Sequence, residues 1–106
     1  MELLTRVEEL LLLSVWRLQS DAYGLAVRRH MAELLGKTLS VGAIYIPLER
    51  LVKKGFLHTR ESRPTDKRGG RRKRFYTLSG KGMAALNAVR EVQQKAWSEL
   101  PDLAFA

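Results

Sequence analysis

At 106 residues the chain is long enough for one modest hydrophobic core, so we expect an apolar helix in excess of that core to pack against a second copy. Its hydrophobic content of 45% and charged content of 28% are typical of a globular protein and argue against disorder throughout. The absence of cysteine excludes thiol chemistry, disulfides and cysteine metal sites. No basic leader pattern is evident, and the longest apolar run is far shorter than the roughly 20 residues of a membrane helix, which predicts a cytoplasmic location.

The net charge is concentrated in one segment. Residues 53–74 contain ten of the nineteen Lys and Arg residues and two of the eleven acidic ones, so this segment alone carries the +8 of the whole chain. Gly69 and Gly70 lie within it, and the β-prone residues 75–78 follow, which predicts a basic hairpin tip. Such a density of positive charge favours a polyanionic partner, most commonly nucleic acid.

Three helical segments are expected in the first half of the chain. Residues 2–18 lack Gly and Pro and are apolar on more than one side, which predicts a helix buried on more than one side. Ser20 or Asp21 is the expected cap of a second helix, which Gly36 ends, and Ser40 is the expected cap of a third. Pro47 lies inside the third helix, where it removes a backbone hydrogen bond, so we expect a kink there or a late start of regular helix.

Two strands and a final helix complete the pattern. Residues 56–61 and 74–78 are short β-prone runs that predict a two-stranded wing with the basic segment at its tip. Ser79 is the expected cap of a last helix running to about Leu100, and a partner chain is the simplest recipient for its apolar stripe. The element order predicts a mainly α protein with a small β-hairpin: a winged helix-turn-helix domain at residues 1–78, then a dimerisation helix and tail at residues 79–106.

Three stretches resemble the PadR-like family of winged helix-turn-helix transcriptional regulators. Residues 39–57 are similar to the recognition-helix pattern of that family, L-S-x-G-T-L-Y-P-x-L-x-R-L-x-x-x-G-L. Residues 21–24 resemble the Tyr-Gly pair that opens the second helix, and residues 69–82 resemble the glycine- and arginine-rich wing. Ala43 stands where the family usually has Thr, and Pro47 lies one position after the usual proline, so we expect base contacts that differ from those of relatives.

The resemblance implies a homodimeric repressor that binds double-stranded DNA at a two-fold operator, needs no cofactor and is associated with the nucleoid. It also implies that a planar hydrophobic effector can bind between the subunits, as in some small family members with a single C-terminal helix. The candidate ligand contacts are then Trp97 on the last helix and Leu10 and Ser14 on the first. Trp97 is equally compatible with simple packing at the interface between the subunits.

The candidate DNA contacts lie on the second helix, the third helix and the wing. Gly42 would allow a close approach to a groove, and Ser40 and Tyr45 could reach phosphates, although Tyr45 could also be a core ring. Wing cations would bind phosphates, and an arginine could enter a narrow minor groove. The candidate residues are Tyr23, Ser40, Gly42, Ala43, Tyr45, Lys53, Arg68, Arg71, Arg72 and Lys73.

Other chemistries have little support in the sequence. His30 and His58 lie on different elements without further ligands at metal-binding spacing, so no metal site is expected. Residues 36–38 resemble the end of a phosphate-binding loop, but Met31 stands where that motif requires its first glycine. No paired carboxylates or activated nucleophile are evident, so we expect no enzyme activity. Two rival functions remain: a constitutive architectural or RNA-binding protein, and a protein-interaction module built on the same fold.

Overall fold

The computed structural model describes residues 3–62 and 73–103. It shows the winged helix-turn-helix order that the sequence predicts. The elements are α1 (Arg6–Leu18), a 3₁₀ turn (Gln19–Asp21), α2 (Gly24–Leu35), α3 (Val41–Lys53), β1 (Leu57–Glu61), β2 (Arg74–Leu78) and α4 (Gly80–Trp97). The predicted tip residues Arg68, Arg71 and Arg72 lie outside the described residues.

Side-chain caps determine where α1, α3 and α4 begin. Thr5 Oγ1 accepts from the Glu8 backbone N–H at 3.1 Å, and the Glu8 carboxylate accepts from the Thr5 N–H at 2.8 Å, which is a complete capping box. Helix α1 therefore begins at Arg6, later than its apolar pattern suggested. Ser40 and Ser79 cap α3 and α4 as predicted, with hydroxyl oxygens 3.1 and 3.0 Å from the backbone nitrogens that they satisfy.

The start of α2 differs from the prediction. Neither Ser20 nor Asp21 caps it, because both residues lie in the 3₁₀ turn that follows α1. The N-cap is Tyr23, whose backbone is extended and whose side chain makes no capping bond. This extended backbone pairs with the wing: the Ala22 carbonyl accepts from the Tyr76 N–H at 2.8 Å, and Tyr23 forms an isolated bridge with Phe75.

Pro47 does not delay the start of α3, which is continuous from Val41 through Lys53. The proline lacks the N–H that would have bonded to the Ala43 carbonyl. Gly55, at φ 83°, then turns the chain into β1. Helix α4 ends at Trp97, short of the predicted Leu100, because Ser98 already has an extended backbone.

The wing is an antiparallel hairpin with an in-register ladder from Leu57 opposite Leu78 to Glu61 opposite Arg74. Its inner face meets the helices in one core. Helices α1, α2 and α3, both strands, and two residues between elements contribute fully or nearly fully buried side chains to that core, namely Leu11, Leu12, Val15, Ala22, Val27, Met31, Ile44, Leu48, Leu51, Phe56, Leu57, Tyr76 and Leu78. The core thereby fixes the wing relative to α2 and α3.

Helices α1 and α4 carry apolar surface that the described residues leave exposed. Leu13 and Trp16 of α1 and Met83, Val92 and Trp97 of α4 are exposed. Helix α4 is attached to the core at its beginning, where Ala85 and Leu86 are half-buried, and it leaves Trp97 61% exposed at its other end. No helix within residues 3–62 or 73–103 is long and apolar enough to cross a membrane.

Candidate nucleic-acid interface

Helix α3 has one buried side and one open side. Ile44, Leu48 and Leu51 are fully buried, at the three- and four-residue spacing of one helical stripe. At 100° per residue, Gly42, Ile46 and Lys53 lie on the opposite side, and Arg50 lies beside them. The open side is therefore apolar in its first two turns and basic in its last turn.

The beginning of α3 suits a close approach to an anion or a groove. Ser40 Oγ accepts from the Ala43 N–H, and a hydroxyl that accepts one bond can still donate its proton to a phosphate. The N–H groups of the first turn also point outward at the positive end of the helix dipole. Among the described residues beyond its chain neighbours and its own helix backbone, a Cβ added to Gly42 would meet Ile46 Cδ1 alone, at 3.7 Å, so packing there does not require glycine.

Tyr45 lies beside the open side and is held against α2. Its ring is half-buried and covers the backbone of Gly24, where an added Cβ would overlap the ring and hydroxyl. The candidate phosphate contact thus also packs within the chain and joins the two helices of the helix-turn-helix. The turn between those helices has a second tie, from Arg28 Nε to the Leu39 carbonyl at 3.0 Å.

An ion pair joins α3 to the wing. Glu49 on α3 accepts from the Arg74 guanidinium at the start of β2. The Arg74 guanidinium also lies 5.6 Å from the ring centroid of Tyr76. Burial of the Tyr76 hydroxyl, together with the nearby Glu49 carboxylate, raises the pKa of Tyr76 above its ordinary value, so this phenol stays neutral.

The other face of the wing carries a cluster of rings and cations. The Tyr23 and Phe75 rings meet edge to face, with centroids 5.7 Å apart. Lys73 Nζ lies 4.3 Å from the Tyr23 centroid, and the Arg60 guanidinium lies 4.4 Å from that of Phe75. Tyr23 therefore supports the base of the wing and holds the Lys73 side chain on it.

Within the described residues, Leu10, Ser14 and Trp97 have different surroundings. Leu10 lines a cleft between α1 and α2, together with Leu13, Trp16, Arg17, Gln19, His30 and Leu34. Ser14 is fully buried and its hydroxyl lies 2.7 Å from His30 Nδ1. A second groove, of about 430 Å³, runs between α1 and α4, where Leu13, Trp16, Met83 and Leu86 supply apolar walls and Glu9 accepts from Gln93 at 2.9 Å.

Comparison with known families agrees with this geometry. The family model described as "Transcriptional regulator PadR-like family" matches residues 12–88, which include α2, α3 and the wing. The chain belongs to this family. None of the curated proteins matches the chain significantly.

Solved structures of other regulators share the fold of this PadR-like chain. H. salinarum RosR in the complex hsRosR-SG is 26% identical, with a TM-score of 0.71 over 93% of this chain and 80% of that one. A PadR-like transcription factor from Bacteroides fragilis is 19% identical, with a TM-score of 0.71 over 85% and 82% of the two chains. A PadR family regulator from Clostridium difficile is 17% identical, with a TM-score of 0.67 over 87% and 90%.

The open side of α3 in this PadR-like chain includes two residues that the sequence interpretation did not select. Ile46 and Arg50 are exposed on it, between Gly42 and Lys53, which were both selected. The helical period was sufficient to find them, since Ile46 lies four residues after Gly42 and Arg50 four residues after Ile46. The pairing of Glu49 with Arg74 had no comparable local signal.

Proposed function

We propose that this chain is a dimeric repressor that inserts α3 into the major groove of a two-fold DNA operator. The observation that carries the proposal is the open side of α3, which faces away from the core with Gly42 and Ile46 at its start and Arg50 and Lys53 at its end. A recognition helix with small residues near the groove floor and cations near the strands fits this geometry. In this view residues 1–78 contact DNA and residues 79–106 pair the subunits.

The wing would supply affinity by binding phosphates. The described cations Arg60 and Lys73 lie on one face of the hairpin, over the rings of Phe75 and Tyr23, and the basic residues of the predicted tip lie between them in the sequence. Arg68, Arg71 and Arg72 remain candidate contacts by sequence. Because phosphate contacts carry no base information, they should bind all DNA with similar strength. Sequence-independent retention of this kind would keep the protein associated with the nucleoid.

Salt dependence tests the wing. Replacing Arg71 and Arg72 by Ala should weaken binding to all duplexes and reduce the slope of log K against log salt by about 0.9 for each phosphate that the variant no longer binds. The matched control removes two charges elsewhere, with Arg90→Ala and Lys95→Ala on α4, and should leave the slope unchanged. A wing variant with the same slope as the wild type would exclude phosphate binding at the tip.

Dimerisation would cover the apolar surface of α1 and α4. Leu13, Trp16, Val92 and Trp97 are exposed in the single chain, and a two-fold contact between these helices would bury them. Val92→Asp should give a folded monomer, because Val92 is 45% exposed and is not part of the core. Gln94→Asp, at another exposed position of α4, is the control. If sedimentation equilibrium still shows a dimer for Val92→Asp, the interface between the subunits lies elsewhere.

The proposed effector is a planar hydrophobic molecule held between the subunits. Trp97 would supply the stacking surface, and Leu10 and Ser14 on α1 would line the far side. Because Ser14 is buried and bonded to His30, a contact with Ser14 would need α1 and α2 to separate locally. An effector that favours one spacing of the two recognition helices would change operator affinity by shifting the population toward that spacing.

The alternative is an architectural protein that binds nucleic acid constitutively, and it is favoured only by the concentration of charge. The two functions differ in selectivity. A regulator should prefer its operator over unrelated duplexes by about 10³-fold or more, whereas an architectural protein should not. Competition binding at moderate salt separates them.

A further inference from the structure

The exposed start of α3 has an unusual chemical character for a surface that meets DNA. Gly42, Ala43 and Ile46 are all exposed there, and none of their side chains has a hydrogen-bond donor or acceptor. Ile46 is 63% exposed, and its Cδ1 lies over Gly42, at 3.7 Å from where a Cβ would be. These three residues form one small apolar surface, which we name the apolar tip of α3.

Side chains without polar atoms can read only part of the major groove. Guanine, cytosine and adenine present donors and acceptors there, whereas thymine also presents a 5-methyl group. An isoleucine side chain gains contact energy from that methyl and leaves polar base edges unsatisfied elsewhere. We propose that Ile46, with Gly42 and Ala43 beside it, reads thymine 5-methyl groups, so that each half-site of the operator has a thymine facing the apolar tip. This assignment rests on the proposed function, in which α3 enters the major groove.

The charges around the tip argue against an apolar protein partner in the same place. Arg50 and Lys53 continue the same side of α3 toward its C-terminus, and both are exposed. A protein interface would have to accommodate these two cations beside the isoleucine, whereas a groove has methyl groups on its floor and phosphates along its walls. One surface with apolar and basic halves therefore matches duplex DNA.

The experiment first selects bound duplexes from a random pool and then replaces each thymine of the selected half-site by deoxyuridine. This change removes the methyl group and keeps every base-pair hydrogen bond. At one or two positions per half-site, wild-type affinity should fall about fourfold for each methyl removed, the factor expected for one buried methyl-sized group. Ile46→Ala should bind the thymine and deoxyuridine sites with equal affinity.

Lys53→Ala is the matched control. It should lower the affinity for both sites and leave their ratio as in the wild type, because a phosphate contact does not sense the methyl group. Unchanged thermal unfolding of Ile46→Ala would show that the variant folds, as its exposure predicts. The thymine assignment alone is overturned if the wild type binds the deoxyuridine sites as tightly as the thymine site. It is also overturned if the ratio of thymine-site to deoxyuridine-site affinity is the same in Ile46→Ala as in the wild type. If no preferred sequence emerges from the pool, the proposed function and this inference both fail.

Discussion

The ring of Tyr45 on α3 lies against the backbone of Gly24, the first residue of α2. The absence of a side chain at Gly24 allows the two helices of the helix-turn-helix to approach at this point. The contact also restrains Tyr45, which lies next to the open side of α3. A change at Gly24 should therefore affect DNA binding although Gly24 itself is buried.

We expect Gly24→Ala to displace the Tyr45 ring and to lower the free energy of unfolding by about 1 kcal/mol, because overpacking of about 1–3 kcal/mol is partly offset by the better helix propensity of alanine. Operator affinity should fall with it. In a Tyr45→Ala background the same substitution should cost nothing. Chemical denaturation of the four proteins measures this cycle, and an equal cost in both backgrounds would contradict the contact.

Two glycines of α4 allow Gly24→Ala to be compared with the same substitution in other surroundings. A Cβ at Gly82 would collide with the Phe56 backbone carbonyl, which cannot move aside as a tyrosine ring can, so Gly82→Ala should be the most destabilising of the three substitutions. Apart from its chain neighbours and the backbone of its own helix, no atom of the described residues lies within 4 Å of a Cβ at Gly80, so Gly80→Ala should be neutral or slightly stabilising.

The ion pair of Glu49 with Arg74 predicts an unusual salt dependence of DNA binding for variants of these two residues. While Arg74 is paired, Arg74→Ala should leave the log-log salt slope of DNA binding unchanged. Glu49→Gln should release the guanidinium for a phosphate and steepen the slope by up to about 0.9. Both side chains are 40% exposed, so their coupling in a stability cycle should be only about 0.2–1 kcal/mol.

Glu33→Gln removes an equal charge from an exposed position of α2 and controls for net charge. If Arg74→Ala alone reduces the slope, Arg74 already contacts a phosphate in the wild-type complex, and the pair with Glu49 does not survive DNA binding.

The sequence predicted the parts of this molecule that depend on local pattern. The three- and four-residue spacing of Val41, Ile44, Leu48 and Leu51 predicts the inward stripe of α3, and the structure buries all of them except Val41, which is 54% exposed. Ser40 and Ser79 were identified as caps from their position before an apolar run. Both rest on interactions within one helical turn or on one helical face. The element order followed from the same signals.

Contacts between distant segments were not predictable in this way. The sequence placed the start of α2 at Ser20 or Asp21, because it could not show that Ala22 and Tyr23 pair with β2 and that the Tyr23 backbone is extended. The edge-to-face pair of Tyr23 and Phe75 follows from that same pairing. Such contacts depend on how the hairpin lies on the helices, which periodicity does not encode.

Glu8 predicts how stability changes in acid. Burial by itself would raise the pKa of Glu8, but the Thr5 N–H and the Lys54 ammonium, at 3.4 Å, stabilise the carboxylate and hold the pKa below its ordinary value of 4.5. A group whose pKa is lower in the folded state contributes stability above its unfolded-state pKa and loses it as the pH falls through the folded-state value. This contribution should therefore be complete at neutral pH and decline below about pH 4.5.

Glu8→Gln should lower the free energy of unfolding at pH 7 by roughly 1–2 kcal/mol, because it weakens the capping box and removes the charge-assisted bond to Lys54. The difference in the free energy of unfolding between Glu8→Gln and the wild type should shrink as the pH falls below about 4.5. Glu91→Gln, at an exposed position of α4, should show neither effect. Urea unfolding curves between pH 3 and 7 measure both, and a difference that grows toward acid pH would contradict the assigned direction.

Trp97 provides the test of the proposed effector site. Planar aromatic compounds, cationic and neutral, should quench its fluorescence if two indoles meet across an open interface, with Trp16→Phe removing the background from the second tryptophan. Trp97→Ala should abolish binding of these compounds, while Leu103→Ala, at an exposed apolar position after α4, should not.

Because coupling between two ligands is reciprocal, a compound that weakens operator binding by some factor must itself bind more weakly by the same factor when operator is present. If no compound in the panel binds, Trp97 packs at the interface between the subunits, and the regulator responds to another signal, such as its own concentration through dimerisation.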